Sequence, residues 1–274
     1  MSAVTIPAAG APGVVAGRRR NTAVQDAVSV AWRNLKGMSR TPQVIVFSTI
    51  QPIIFVLNFR YVFGGALSGA LPPGVPYVDF LMPGIFVQTV TFGSTAIAVG
   101  MANDLGTGLI ERFRSLPMAR SAVLAGRTIA DLVRNALVVA LMILVGFAVG
   151  FRIHAGVPAL LGAFLLLLVF MFALSWVFAT IGLAVGDPEA AQAATFPLMA
   201  VLVFASTAFV PAATMPGWLQ AYADHQPVSD VADAVRALVL GGPTAGKVAI
   251  ALLWCAGIVA VFAPLAVARY RRVA

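Results

Sequence analysis

The residues most suggestive of chemistry run from Gly241 to Lys247 and read G-G-P-T-A-G-K. They match the phosphate-loop pattern G-x-x-x-x-G-K up to its last position, where Val248 stands in place of the Ser or Thr that holds Mg²⁺. No strand pattern precedes this run, although a phosphate loop requires one. The sequence therefore predicts no nucleotide site in this chain.

Acidic and imidazole side chains cluster just before that run, at Asp224, His225, Asp230 and Asp233. Their spacing gives no i, i+4 ligand pair that includes His225, and acids are common at helix starts. The chain also has no G-x-S-x-G elbow, and neither histidine lies near a serine in an apolar run. We expect no enzymatic activity, no metal and no cofactor bound by this chain.

Composition excludes an ordinary soluble globule. Of 274 residues, 60% are hydrophobic and 10% are charged, and the mean hydropathy is +0.95. The 18 Lys and Arg against 10 Asp and Glu give a net charge of +8, which suits a membrane surface better than nucleic acid in so apolar a chain. The single cysteine, Cys255, excludes an intrachain disulfide.

Six runs with few or no charges are long enough to cross a bilayer as helices. A hydrocarbon core of about 30 Å needs about 20 apolar residues, and these runs lack the alternation of barrel strands. Backbone groups in lipid must be satisfied internally, so we predict an all-α, polytopic membrane protein with six transmembrane helices. The predicted spans cover about 41–60, 80–103, 128–151, 157–186, 192–210 and 248–268.

The distribution of basic residues predicts the orientation of these spans. An even number of spans places both termini on one side of the membrane. On the opposite side lie only Arg60, Arg152, Arg236 and Lys247, so 14 of the 18 Lys and Arg accompany the termini. By the positive-inside rule both termini are cytoplasmic, and the expected location is the cytoplasmic (inner) membrane.

The N-terminal region divides into two predicted segments. In residues 1–21 the arginines at 18–20 follow the apolar residues instead of preceding them, which indicates a disordered cytosolic tail and not a signal peptide. Residues 22–40 place Val24, Val28 and Trp32 on one face and basic residues elsewhere, which is typical of an interfacial amphipathic helix. A cytosolic helix packed on another protein would show the same pattern. The membrane domain is predicted to cover 22–274.

Two further segments lie between spans. Within the cytosolic loop 104–127, one face of a short predicted helix is apolar and the other is charged, until Pro117 ends it. The external stretch 211–247 predicts two short helices, the first near Pro216 and the second with Ser229 as N-cap and Gly241 as terminator. A re-entrant helical hairpin in the outer leaflet fits this stretch, and a plain extracellular loop is the alternative.

Ionisable residues are nearly absent from the predicted spans. Apart from Asp131, near the cytosolic end of the third span, there is no acid at membrane depth. Proton- and sodium-coupled carriers generally need such groups near the midplane. Energy for any transport must therefore come from elsewhere.

Four sequence segments, in order, resemble the ABC type-2 exporter permeases, especially the daunorubicin-resistance permease type. They are Y-V-F-G-G from Tyr61, Y-V-D-F-L-M-P-G from Tyr77, G-L-I-E-R-F-R-S-L-P-M from Gly108, and F-V-P at Phe209 followed by M-P-G-W-L-Q from Met215. The likeness covers most of the chain from about Trp32. The third segment lacks the threonine often present in that loop of the family.

The resemblance implies a half-transporter. It implies a dimer with a second permease copy or a homologous permease, and two separate ABC ATPase subunits that bind ATP and Mg for the complex. The third segment is then the coupling helix that contacts the ATPase, through Leu109, Ile110, Glu111, Arg112, Phe113, Arg114 and Leu116.

Polar residues in lipid-length runs are costly unless they face protein or water. Together with the family's arrangement of spans, this predicts a translocation path at Gln51, Phe55, Asn58, Gln88 and Phe204. We further predict an outer gate at Phe209, Pro211, Met215 and Trp218.

Two functions remain open at this stage. The first is the permease subunit of an ATP-driven exporter for an amphipathic drug, lipid or glycoconjugate. The second is a non-transporting membrane scaffold or immunity subunit. The coupling loop and the outer hairpin favour the exporter, because a scaffold has no evident use for them.

Overall fold

The computed structural model describes residues 42–67, 69, 71, 74–107 and 120–273. Three predicted features lie outside these residues: the tail 1–21, the interfacial helix 22–40 and the coupling residues 109–116. They remain predictions from the sequence.

The described part of the chain is helical and contains no strand. Its elements are α1 (Pro42–Leu57), a π-helical turn (Asn58–Phe63), α2 (Gly64–Leu67), α3 (Tyr77–Gly106), α4 (Arg120–Ala148), α5 (Val157–Val185), α6 (Pro188–Phe204), a 3₁₀ turn (Ala212–Thr214), α7 (Gly217–Ala223), α8 (Pro227–Leu240) and α9 (Thr244–Val273).

Five segments of the described chain are long and apolar enough to cross a membrane: Thr49–Leu67, Tyr77–Gly106, Ile129–Ala148, Val157–Val185 and Thr244–Arg272. The all-helical membrane fold is therefore confirmed. The predicted span that is not among these five is the fifth, 192–210, which corresponds to α6, a helix whose 17 residues extend for about 26 Å. The count of six spans and the re-entry of the hairpin into the outer leaflet stay predictions.

The turn between α5 and α6 follows the sequence pattern. Gly186 ends α5 with a left-handed backbone, φ 76°. Asp187 then caps α6 by accepting a hydrogen bond from the backbone N–H of Ala190 at 2.8 Å, and Pro188 occupies the first helical turn. Both ends are local, so they can be identified from the sequence.

The end of α6 differs from the predicted fifth span, 192–210, because the helix covers Pro188–Phe204. Side chains bind the backbone groups just beyond it. Gln226 Nε2 donates to Ala205 O at 2.9 Å, and the N–H of Thr207 donates to Ser229 Oγ at 3.1 Å. Since these groups are satisfied, the helix can end inside the protein. Ser229 is therefore not the N-cap of α8, a position that Gln226 occupies.

The core is centred on α3, which packs against α4, α5, α6 and α8. Leu81, Ile85, Val87 and Val90 of α3 are fully buried. The hydroxyls of Thr89, Thr91 and Ser94 donate to the carbonyls four residues earlier, so polar side chains sit in the core without needing a partner helix.

The periphery is apolar and exposed. Leu57 of α1 is 44% exposed and Leu253 of α9 is 70% exposed, and many similar residues surround the bundle. Such surfaces are suited to lipid or to another membrane subunit.

Candidate functional site: a polar cavity and an aromatic cluster

A cavity of about 400 Å³ opens between α1, α3, α4 and α6. Its volume falls in the range of about 300–1,000 Å³ that is usual for small-molecule sites. The lining residues are Gln51, Thr89, Phe92, Gly93, Thr95, Ala96, Arg134, Asn135, Val138, Gln192, Thr195, Phe196 and Met199. The cavity therefore combines apolar side chains with polar groups carried by apolar helices.

A second hollow of about 450 Å³ continues from this cavity along α3 and α6. The two share Thr95, Ala96 and Gln192, and the second reaches Asn103 near the end of α3 and Pro188 at the start of α6. Together they form one groove, which leads to the end of the bundle that the charge distribution predicts to be cytoplasmic. We call this combined hollow the membrane groove.

Arg134 is the charged side chain among the described residues that line the cavity. Its Nη2 donates to the carbonyl of Gly93 at 3.2 Å and lies 3.3 Å from Asp131 Oδ1. Both ionic side chains are about 15% exposed. A largely buried charge inside a helix of membrane length is costly, which makes Arg134 a candidate functional residue.

Close packing of α3 against α4 places Arg134 and Asn135 at the cavity wall. A Cβ on Gly93 would lie 2.0 Å from Asn135 Oδ1, so any larger residue would require the Asn135 side chain to move. Asn135 is in turn held by a 3.1 Å hydrogen bond from its Nδ2 to Asp131 O.

An aromatic cluster lies at the end of α1 and α6 that the charge distribution predicts to be external. Phe59 stacks on Phe209 with ring centroids 4.5 Å apart and planes 6° apart, and Phe55 lies 5.9 Å from Phe209. Phe204 lies 6.0 Å from Phe55 and 5.7 Å from Phe209. Along α1 and the turn that continues it, Phe59 is about 12 Å beyond Gln51, which lines the cavity. We call these four rings the outer aromatic cluster.

The structure divides the predicted path residues among different places. Gln51 lines the cavity, and Phe55 and Phe204 join the outer aromatic cluster. Asn58 is exposed in the π-helical turn. Gln88 is 1% exposed, and its Oε1 has no hydrogen-bond partner among the described residues.

The predicted gate residues are likewise separated. Phe209 is buried in the aromatic cluster, whereas Trp218 on α7 is 76% exposed. Pro211 and Met215 flank the 3₁₀ turn and are partly buried. Among the contacts of the described residues, Phe209 is the predicted gate residue that touches predicted path residues, namely Phe55 and Phe204. The coupling residues 109–116 belong to the stretch that joins α3 to α4, outside the described residues.

Arg236 of α8 binds the non-helical segment that follows α6. It donates to Ala208 O at 2.8 Å, Thr207 O at 2.5 Å and Phe80 O at 2.9 Å, and its Nη1 lies 2.6 Å from Asp233 Oδ1. Its guanidinium also lies 3.8 Å from the ring centre of Phe80. Burial lowers the pKa of Arg236, and the Asp233 carboxylate opposes that shift. These contacts connect α8 to α3, and the bond to Ala208 positions the neighbouring Phe209.

Sequence reasoning missed several of these residues. Arg134, Gln192 and Thr195 line the cavity without having been assigned to the path, and Phe59 completes the aromatic cluster. A signal existed for Phe59, since it follows Phe55 by one helical turn. For the others the position depends on how the helices are rotated against each other.

Residues 25–240 match the sequence model of the ABC-2 type transporter family. The chain belongs to that family. This ABC-2 transporter chain is 37% identical over 254 residues to the daunorubicin resistance ABC transporter permease protein DrrB1 of Streptomyces coeruleorubidus, covering 92% of this chain and 88% of the relative. The resemblance to daunorubicin-resistance permeases is thus confirmed.

Two relatives from Mycobacterium tuberculosis are more distant. The probable doxorubicin resistance ABC transporter permease protein DrrC is 28% identical over 250 residues, which are 88% of this chain and 86% of the relative. The doxorubicin resistance ABC transporter permease protein DrrB is 28% identical over 217 residues, which are 76% of this chain and 74% of the relative. All three relatives are named as transporter permeases, so the ABC-2 transporter chain is similar to transport subunits over most of its length.

Proposed function

We propose that this ABC-2 transporter chain is the permease subunit of an ATP-driven exporter, which moves an amphipathic drug, lipid or glycoconjugate out of the cytoplasm or inner leaflet. The observation that carries the proposal is the polar-lined cavity between α1, α3, α4 and α6. A bundle that only anchored a partner would have no evident use for an arginine and amides among apolar helices, where they are costly. The names of the relatives support a drug as one class of cargo.

The arrangement of the two site regions supports a direction of movement. The membrane groove begins near Asn103 and Pro188, and the outer aromatic cluster lies farther along α1 and α6. Cargo enters at the cytoplasmic end and leaves past the aromatic rings. The excess of Lys and Arg on the side of the termini supports cytoplasmic termini and the inner membrane as the location.

The proposal includes two kinds of protein partner. One is a second permease, either a copy of this chain or a homologous one. The other is an ABC ATPase, two per complex, which binds ATP and Mg. The stretch 108–119 joins α3 to α4, so an ATPase pushing on it moves two helices that line the cavity.

Export from intact cells tests the proposal. The chain is expressed with a candidate ATPase in a host that lacks its own anthracycline exporters, and intracellular daunorubicin is followed by its fluorescence. We expect lower accumulation with the complete pair than with the permease alone or with an ATPase whose catalytic glutamate is replaced. Equal accumulation in all three, with ATPase bound to the permease, would support the scaffold function instead.

A further inference from the structure

The cavity presents one type of charge. Arg134 lines it, while the other described lining residues are neutral. Asp131 lies one helical turn back on α4, behind the lining, and pairs with Nη2 of the arginine. The face of the guanidinium that borders the cavity is therefore the positive element of the site.

Arg134 also has hydrogen-bond donors without a partner among the described residues. Its two contacts, with Gly93 O and Asp131 Oδ1, both use Nη2. Nε and Nη1 make no hydrogen bond with the described residues, and the side chain is 15% exposed. A guanidinium offers its donors in a planar fork that matches the oxygens of a phosphate or carboxylate. An anion at this position would receive the donors that the protein leaves unused.

We propose that the Arg134 end of the cavity binds the anionic headgroup, a phosphate or carboxylate, of an amphiphile whose apolar part lies along Phe92, Phe196 and Met199. The cavity can accommodate both parts of that ligand, since these three apolar side chains line the same cavity as the polar groups of α4. A cationic headgroup beside the guanidinium is unfavourable in a medium of low dielectric, so a drug that carries an ammonium group would bind with that group away from Arg134. The proposal rests on the export function only in naming the ligand as cargo, because binding itself needs no ATPase.

The geometry provides a route for such a ligand. The membrane groove leads from the cavity to Asn103 and Pro188, and its shared part carries Thr95 and Gln192. A headgroup can follow these polar residues. Phe196 is 65% exposed, so the cavity also opens sideways toward the surroundings of α6, where an acyl chain can remain in lipid.

Binding to the purified chain tests this site directly. The chain is placed in phosphatidylcholine nanodiscs, and the motionally restricted fraction of spin-labelled phosphatidic acid is compared with that of spin-labelled phosphatidylcholine. We expect a preference for the acid that falls about tenfold in Arg134→Gln. Arg134→Lys should keep part of it, because the charge remains and the fork is lost.

Arg272→Gln is the matched control. Arg272 is exposed in the last turn of α9, so it contributes to general attraction of acidic lipid without lining the cavity, and its replacement should change the preference less than about twofold. Ala96→Phe fills the cavity while leaving Arg134 in place, and it should also abolish the preference even if Arg134→Gln folds poorly. An unchanged preference in Ala96→Phe, or equal losses in Arg134→Gln and Arg272→Gln, would overturn the proposal.

Competition distinguishes the source of the anion. Dodecyl phosphate should displace the spin-labelled acid, and inorganic phosphate at the same concentration should not. Equal displacement by inorganic phosphate would show a simple anion site and contradict the amphiphile. If binding depends on Arg134 but no ATP-driven export of any acidic amphiphile occurs with the partner ATPase, the export function fails and the binding site stands.

Discussion

We expect the hydrogen bonds of Arg236 to be the main contacts that hold the predicted outer hairpin, 211–247, in place. Arg236→Met keeps an apolar stem over Phe80 but removes the donor to three main-chain carbonyls, those of Phe80, Thr207 and Ala208. Breaking a buried charged network by removing one partner costs about 3–5 kcal/mol. Asp233 is 40% exposed and can be hydrated, so we expect the lower end, about 3 kcal/mol.

The single cysteine makes this measurable. Cys255 is 3% exposed in α9, which packs against α8, so a thiol-reactive dye will report thermal opening of this region in detergent. At about 2–4 °C for each kcal/mol, the labelling midpoint of Arg236→Met should fall by about 6–12 °C.

Arg152→Met is the control for this measurement. Its side chain is exposed, and its main-chain N–H, which binds Asp79 at 2.9 Å, is retained. The control should change stability by less than about 0.5 kcal/mol. A midpoint for Arg236→Met within about 2 °C of that for Arg152→Met would refute the role given to the network.

Three further predictions concern docking, the path and the topology. Phe113→Ala should weaken ATPase binding by about 2 kcal/mol or more and Arg114→Ala by less than about 1, measured by co-purification, because buried anchors outweigh rim charges. Gln51→Leu should alter the transport rate, whereas Gln88→Leu should leave it unchanged and not destabilise the chain, because the side-chain carbonyl of Gln88 has no partner among the described residues. A change of rate in Gln88→Leu but not in Gln51→Leu would contradict this assignment of the path. Ser2→Cys in a background without Cys255 should not be labelled by membrane-impermeant thiol reagents in intact cells. Labelling would show that the N-terminus lies outside, opposite to the predicted topology.

Local signals account for the parts of the fold that the sequence predicts well. Charge-free runs identify the long helices, and Gly186, Asp187 and Pro188 locate one turn closely. The end of α6 at Phe204 is different, because it depends on Gln226 and Ser229, which are distant in sequence. A hydroxyl suited to an N-cap was instead used to satisfy another segment.

The candidate site shows the same division. Polarity within apolar runs leads to Gln51, and aromatic spacing along α1 leads to Phe55 and its neighbour Phe59. Arg134 was visible as a charge at the start of a span, but its place in the cavity wall follows from the close contact of Gly93 with Asn135. Helix rotation of this kind is set by packing between helices, which spacing along one helix does not reveal.

The most direct test of the central claim is transport by purified components. The chain and its ATPase are reconstituted in proteoliposomes, and uptake of daunorubicin is followed in those with the ATPase facing outward. The account predicts ATP-dependent uptake that is lost without the ATPase and reduced in Phe113→Ala. ATP hydrolysis by a stable complex without uptake of daunorubicin or of an acidic amphiphile would contradict it.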